Sequence, residues 1–376
     1  MHKVCHITSA HRSYDYRIFH KECTSLAKAG FDTYLVARGE SGEVNGVHVV
    51  GVGEISNSRL KRMLFGAKRV YEAALKIDAN LYHFHDPELI PYGIKLKKKG
   101  KIVIFDSHEN TDVQIFEKKW IPGFLRPAIA FLYKHYQDNA CRKFDSVLGV
   151  STSTYEQYKK LNANAEMITN YPVIPSGEFI HPEMKDRKIV FAGNVSDLWN
   201  NRNVILAIEK LRDVTFEMCG FIPWGDKTGT EYFNSLKELD GWKKVNFLGR
   251  IPHEDVKTLL SQCNIGISVM AYRPHSSSNV GTLGITKMFE YMMAGLPIIC
   301  NDLILWKEII DKYQCGITVD PENIGEIADA IAYLLDNPNQ AKEMGLNGRK
   351  AVEEAYNWGI EEKKLVALYH KLLKAG

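Results

Sequence analysis

Short apolar runs recur along the chain and alternate with stretches of helical character. In the first half, Lys3–Ser9, Thr33–Ala37, Val47–Val52, Asn80–Phe84, Ile102–Phe105 and Ser146–Val150 read as strands. Ile18–Ala29 and Pro87–Lys99 read as helices between them. In the second half the strands are Lys188–Ala192, Thr215–Met218, Val245–Leu248, Ile265–Met270, Pro297–Cys300 and Gly316–Val319. Only helical stretches follow, interrupted at Tyr356-Asn-Trp-Gly359. Strand–helix alternation implies parallel sheets with helices on both faces. Twelve strands overfill one doubly wound sheet and suit two. Between the halves, Asn170 to Pro182 holds three prolines, one glycine and no periodicity, which marks a linker. The predicted organisation is an α/β domain over residues 1–169, a linker over 170–187 and a second α/β domain over 188–357.

Composition agrees with two soluble domains. At 376 residues the chain exceeds the size at which one core splits. It is 45% hydrophobic and 25% charged, ordinary for a globular protein. A net charge of +3 gives no argument for nucleic acid as a partner. The seven cysteines are scattered, with no Cys-x-x-Cys pair, which fits reduced core thiols in a cytoplasmic protein. No apolar stretch reaches the ~18 residues of a spanning helix. The first apolar run, Val4 to Ile7, is too short for a signal peptide and reads as a strand.

Ligands of doubly wound sheets gather at the carboxyl ends of the strands. Here those ends carry His11 after the first strand, His85-Asp86 after the fourth and Asp106-Ser107-His108-Glu109 after the fifth. Three histidines with neighbouring acids are thus expected on one rim. The second half offers Gly193-Asn194, Gly220, Gly249-Arg250 and Tyr272-Arg273. Between Thr286 and Cys300 lies Thr-Lys-Met-Phe-Glu-Tyr-Met-Met-Ala-Gly-Leu-Pro-Ile-Ile-Cys. Thr286 reads as an N-cap, Lys287–Ala294 as a helix, and Gly295 and Pro297 as its stop before a buried strand. Gly281 and Gly284 open the backbone ahead of it, so amides and the Lys287 cation face an anion such as a diphosphate. Glu290, one turn in, suits a hydroxyl donor such as a ribose. An amphipathic helix of an ordinary βαβ unit fits the same pattern.

Lys-Met-Phe-Glu-Tyr-Met-Met-Ala-Gly-Leu-Pro-Ile-Ile resembles the donor-site signature of glycosyltransferase family 4, the retaining sugar transferases of the GT-B fold. His11 to Lys21, His85-Asp86-Pro87 and Asp106-Ser107-His108-Glu109 match the same family. The resemblance implies two Rossmann-like doubly wound domains facing across a cleft, with the last helix, 358–376, packing back on the first. It implies catalytic residues His108, Glu109 and Asp86, with His108 beside the transferred sugar. Donor binding falls to Glu290, which matches the second glutamate of the family's Glu-x7-Glu pair and holds the nucleotide ribose. Lys287 and Arg202 share the diphosphate, with the Gly281–Thr286 amides, Gly284 and Thr286 among them. Gly193, Asn194 and His11 complete that set, and Arg250 and Ile251 line the base. Counting back from Glu290 places Thr282 where the family has its first glutamate, and Asn194 stands where an arginine is usual. The donor is expected to be a UDP- or GDP-sugar.

No metal or cofactor is expected. No two aspartates are spaced as Asp-x-Asp, and no His/Cys cluster has zinc spacing. Cations and amides then stabilise the leaving diphosphate. A nicotinamide enzyme fits poorly, since Gly51-Val-Gly53 continues to Ser56 and no Gly-x-Gly-x-x-Gly follows the first strand of either half. The acceptor, a glycan or lipid-linked glycan of polysaccharide biosynthesis, is read from the first domain. Arg59–Tyr71 and Lys118–Lys134 mix cations with large apolar residues, as segments lying peripherally on an anionic membrane do. A buried apolar face with solvated cations is the alternative. Two further classes fit the same fold. A nucleotide-sugar 2-epimerase would convert its donor without an acceptor, and an inactive binding subunit would never release nucleotide.

Overall fold

The apolar runs become the parallel strands of two sheets. The computed structural model describes residues 1–55, 58, 61–108, 115–116, 121–182, 186–222, 227–272 and 279–375. The chain divides into unit 1, Met1–Asn170 with Trp358–Gly376, and unit 2, Tyr171–Asn357.

Unit 1 contains β1 (Lys3–Arg12), β2 (Asp32–Arg38), β3 (Gly42–Val44), β4 (Val47–Gly51), β5 (Leu81–Phe84), β6 (Ile102–Ser107), β7 (Ser146–Gly149) and β8 (Glu166–Met167). They lie in the order β3-β4-β2-β1-β5-β6-β7-β8, and all neighbours are parallel except β3 and β4. A π-helical segment, Ile18–Cys23, leads into α1 (Thr24–Lys28) and covers one face. The helices α2 (Ala67–Ile77), α3 (Ile90–Lys98), α4 (Arg126–Cys141) and α5 (Thr152–Lys159) follow, and α13 (Trp358–Ala375) ends the chain.

Side-chain parity gives this sheet a polarity along its strands. On the face that α13 covers, Val4 of β1, Leu81 of β5 and Ile104 of β6 pack with Trp358, Leu365, Tyr369 and Leu372. Two residues on, the same face carries His6, His83 and Asp106, with His6 and His83 in register. The amino half of the face is therefore an apolar core and its carboxyl half a buried polar cluster. The opposite face, with Cys5, Tyr82, Val103 and Val147, is apolar.

Unit 2 contains β9 (Lys188–Ala192), α6 (Asn201–Glu209), β10 (Thr215–Cys219), α7 (Lys227–Lys237), β11 (Val245–Gly249), α8 (His253–Leu260), β12 (Ile265–Ser268), α9 (Lys287–Met293), β13 (Ile298–Asn301), α10 (Ile304–Tyr313), β14 (Gly316–Val319), α11 (Ile324–Asp336) and α12 (Pro338–Glu354). Its sheet, β11-β10-β9-β12-β13-β14, is parallel throughout. The helix α9 buries Met288, Phe289, Tyr291, Met292 and Met293. Tyr291 lies so close over β12 that a Cβ on Gly266 would come within 2.4 Å of its ring. Gly295, at φ +75°, ends the helix, and the Leu296 amide returns to the Tyr291 carbonyl at 3.0 Å.

Three details differ from the sequence reading. Thr286 does not cap α9 with its side chain: at φ −86°, ψ −34° it is already helical, whereas a cap needs extended backbone. Strands β3 and β8 are additional, the first exposed at all three positions and the second two residues long, so neither leaves an apolar run to read. The cysteines agree with that reading, since all seven are buried and unpaired.

Trp358 is buried and donates from Nε1 to Ser25 Oγ at 2.9 Å, fastening the first turn of α13 to α1. Trp358→Ala is expected to destabilise unit 1 by about 3–5 kcal/mol, the cost of an aromatic cavity. Urea unfolding followed by amide exchange in β1 and β5 measures it, and a loss under about 1 kcal/mol would show that α13 is dispensable.

Candidate functional site

In unit 2, the carboxyl ends of β9, β10 and β11 and the first turns of α8 and α9 enclose a cavity of about 300 Å³. Two glycines make its floor possible. A Cβ on Gly193 would fall 1.8 Å from Lys287 Cε, and one on Gly220 would fall 1.7 Å from the Gly193 carbonyl oxygen. Any side chain at either position would push Lys287 or β9 out of place.

Lys287 lies across Gly193 with Nζ 3.7 Å from the centre of the Trp199 ring and 5.6 Å from that of Phe191. Desolvation by these surroundings lowers its pKa to about 8, against the opposing pull of Glu290. The described residues bring no carboxylate to ion-pair distance of it. The aromatic faces attract the ammonium without neutralising its charge. One turn on, Glu290 Oε1 lies 3.7 Å from His253 Nε2 at the start of α8. Phe221, Ile251 and Val256 give the cavity an apolar wall. Cation, carboxylate and apolar wall match the three chemical parts of a nucleoside diphosphate.

Of the residues selected from sequence, Gly193, Asn194, Arg250, Thr286, Lys287 and Glu290 line this cavity together. Thr282 and Gly284 do not. They shape the loop ahead of α9, where the Gly284 amide donates to Thr282 Oγ1 at 3.0 Å and Trp306 Nε1 to the Thr282 carbonyl at 2.7 Å. Arg202 is exposed on α6 and does not line the cavity, its amide donating to Tyr232 Oη at 3.3 Å. The residue of that segment which reaches Lys287 is Trp199. Sequence reasoning missed Trp199 and His253, which no local motif marks.

In unit 1 a second cavity, about 290 Å³, is lined by His11, Arg62, Asp86, Glu88, Ser107 and His108 among others. His108 is held from behind: its Nε2 lies 3.0 Å from Asp106 Oδ2 and 3.2 Å from His85 Nδ1. Asp106 is buried. Burial alone would raise its pKa, but Arg17, Nη2 to Oδ2 2.9 Å, and His108 hold it well below the usual range. With Nε2 committed to Asp106, Nδ1 is the nitrogen of His108 that has no partner among the described residues. His11 is one-third exposed, its Nδ1 3.0 Å from Asp15 Oδ2, and its ring centre is 5.5 Å from that of His108.

Two expectations change here. His85 lines the same cavity but is buried in its wall, and desolvation lowers its pKa to about 4. The reason is parity, because β5 turns His83 and His85 to the same covered face as His6. Asp86 is buried as well. Its Oδ2 accepts from Thr8 Oγ1 at 2.9 Å and from the Ser9 and Ala10 amides at 2.5 and 3.1 Å, so it fixes the end of β1. Glu109 lies outside the described residues.

Known proteins match along nearly the whole chain. The model of Glycosyltransferase Family 4 matches residues 17–177, and that of Glycosyl transferases group 1 matches residues 178–351. The MMP alpha-(1->4)-mannosyltransferase of Mycolicibacterium hassiacum is 28% identical over 313 residues, 77% of this chain and 70% of the relative. Among solved structures, sucrose-phosphate synthase from Thermosynechococcus elongatus superposes with a TM-score of 0.77 at 16% identity, covering 100% of both chains. Anabaena HepE in complex with UDP-glucose superposes with a TM-score of 0.74 at 12% identity, covering 99% of this chain and 100% of that one. Two parallel α/β units, each matched by its own glycosyltransferase domain, identify the chain as a glycosyltransferase enzyme of the GT-B fold and the family 4 type.

Proposed function

We propose that the protein transfers a sugar, with retention at the anomeric carbon, from a UDP- or GDP-sugar to a glycan or lipid-linked glycan in polysaccharide biosynthesis. The observation that carries this reading is Lys287, an ammonium desolvated by Trp199 and Phe191 and given no carboxylate, at the edge of a cavity with Glu290 one turn away. The diphosphate supplies the missing anion. Glu290 accepts from the ribose hydroxyls, and Phe221, Ile251 and Val256 flank the base. As the glycosidic bond to the diphosphate breaks, charge gathers on the leaving phosphate oxygen and Lys287 stabilises it, as a fixed donor does in an oxyanion hole. This chemistry asks for no metal at the diphosphate. The relatives support the donor class, since one is named a mannosyltransferase and one fold neighbour holds UDP-glucose.

His108 is the residue we assign to the transferred sugar. The Asp106 carboxylate orients its ring. Retention and the identity of the acceptor rest on the family resemblance.

Peripheral membrane contact has support on the surface of unit 1. Phe65 is 70% exposed, Phe124 82%, Phe131 70% and Leu132 66%, so the apolar residues of the two basic segments are not all core. Lys118 and Lys119 lie outside the described residues. No helix among the described residues is long and apolar enough to cross a membrane.

Nucleotide affinity is expected to follow the charge of Lys287. In the free protein it loses its proton above about pH 8. A bound diphosphate favours the charged form, so UDP or GDP should bind progressively more weakly as pH rises through 8. Lys287→Met should lower the affinity by about 1.5–3 kcal/mol near pH 7, the range for charged hydrogen bonds, and flatten the pH dependence. Calorimetric titration across pH 7 to 9.5 checks both, and a parent profile as flat as the variant's would remove Lys287 from the diphosphate site.

His108→Ala should lower transfer roughly tenfold or more while leaving nucleotide affinity unchanged, the pattern of an interaction made mainly in the transition state. Turnover within about threefold of the parent would end that assignment.

For the membrane, the protein should co-sediment with anionic vesicles at low salt and dissociate as salt shortens the Debye length. Replacing Phe124, Phe131 and Leu132 by serine should release it without changing nucleotide binding. An absence of vesicle binding at low salt favours a soluble acceptor.

A further inference from the structure

We propose that His6, Glu22, His83 and His85 form a buried site for one divalent transition-metal ion, with zinc the best fit, inside the polar half of unit 1. The site is separate from the donor cavity and does not rest on the transfer reaction. Three elements supply it: β1 gives His6, β5 and its end give His83 and His85, and the π-helical segment Ile18–Cys23 gives Glu22. All four side chains are buried, and one ligand atom from each lies within 4.8 Å of the others.

Three of the separations approach those of a coordination shell. A tetrahedral zinc with bonds of about 2.05 Å spaces its ligand atoms about 3.3 Å apart. Here His6 Nδ1 and His85 Nε2 are 2.9 Å apart, and Glu22 Oε2 is 3.7 Å from the first and 3.8 Å from the second. His83 lies within 4.8 Å of these atoms, and its ring, stacked on that of His85 with centres 4.6 Å apart, rotates to close the shell.

The outward nitrogens already have partners, as those of metal-bound imidazoles do. His83 Nδ1 and His6 Nε2 lie 2.8 and 2.9 Å from Tyr369 Oη on α13. His85 Nδ1 lies 3.4 Å from Asp106 Oδ2, and Glu22 Oε1 is 2.9 Å from Arg17 Nε. With protons on those outward nitrogens, His6 Nδ1, His83 Nε2 and His85 Nε2 present lone pairs inward. A proton between His6 and His85 would satisfy only that pair and leave His83 Nε2 and Glu22 Oε2 buried without a hydrogen bond. A metal ion satisfies all four at once. Three imidazoles and one carboxylate select a first-row divalent ion over magnesium or calcium.

The enclosed ion enters as the chain folds. Once bound, it ties β1, β5 and the Ile18–Cys23 segment together, and through His85 it fixes Asp106 behind His108. Sequence spacing hides the set, because Glu22 comes from a helix and His6 from a distant strand.

The full-length protein, refolded with zinc sulfate and dialysed against chelator, should retain about one zinc per chain by elemental analysis and melt at a higher temperature than protein refolded without metal. Refolding with cobalt chloride should give the strong visible absorption of a four-coordinate site. Glu22→Gln and His83→Gln should each lose the retained equivalent and the absorption. No retained zinc and no cobalt absorption in the parent would overturn the site, as would equal retention by a folded His83→Gln protein, which would mean surface binding only. Where a variant fails to fold, the parent's stoichiometry and cobalt spectrum decide.

Discussion

The ion pair between Arg17 and Asp106 is the constraint on which the polar half of unit 1 depends. Arg17 is almost fully buried and donates to Asp106 Oδ2 from Nε at 3.3 Å and Nη2 at 2.9 Å, while its Nε lies 2.9 Å from Glu22 Oε1. Burial alone would lower the guanidinium pKa, but Asp106 and Glu22 together raise it. The carboxylates need the cation as much as it needs them. Without Arg17, two carboxyl groups would face each other in a site closed to water, and breaking such a pair costs about 3–5 kcal/mol. Asp106 stays ionised because of Arg17, and only an ionised Asp106 can orient His108.

The strand polarity of the sheet explains why so polar a cluster can be buried there. A parallel strand covered on both faces is apolar throughout in the usual case. In β1, β5 and β6 the side chains under α13 change from Val4, Leu81 and Ile104 to His6, His83 and Asp106 within two residues. Tyr369 meets that boundary with an apolar ring, beside Phe31, and a hydroxyl shared by two histidines. The amino half of the face supplies hydrophobic burial, and the carboxyl half holds groups that satisfy one another.

Much of this was legible in the sequence, and the gaps have physical causes. Apolar runs gave every long strand to within a few residues, because most covered positions of a strand in such a sheet are apolar. The edge strand β3 is exposed at each position, so burial leaves no trace in its composition. Lys287 and Glu290 were legible because helical spacing puts them one turn apart at the start of α9. Arg202 was not placed correctly by sequence neighbourhood, since the turn into α6 presents Trp199 to Lys287 and leaves Arg202 in solvent. The burial of His85 was hidden for another reason. A residue just past a strand reads as exposed, whereas Glu22 of the covering segment Ile18–Cys23 packs against His85, Oε2 to Nε2 3.8 Å. His253 enters its cavity by tertiary approach, which no local pattern carries.

Arg17 and Lys287 show how one physical cost yields two uses. Desolvation disfavours the charged form of both. Arg17 meets Asp106 and Glu22, so its charge is locked and its fork becomes scaffold. Lys287 meets the faces of Trp199 and Phe191, which attract a cation weakly and cannot neutralise it. Its pKa therefore falls where that of Arg17 rises. A guanidinium gives up no proton and suits a permanent bidentate role, whereas an ammonium on a flexible stem shifts its pKa readily and can follow an anion that arrives and leaves. Had the fold supplied Lys287 with a carboxylate of its own, the cavity would hold a satisfied ion pair and a diphosphate would have to compete for the cation. Leaving it unpaired sacrifices some stability in unit 2 and keeps the attraction available for the diphosphate we propose.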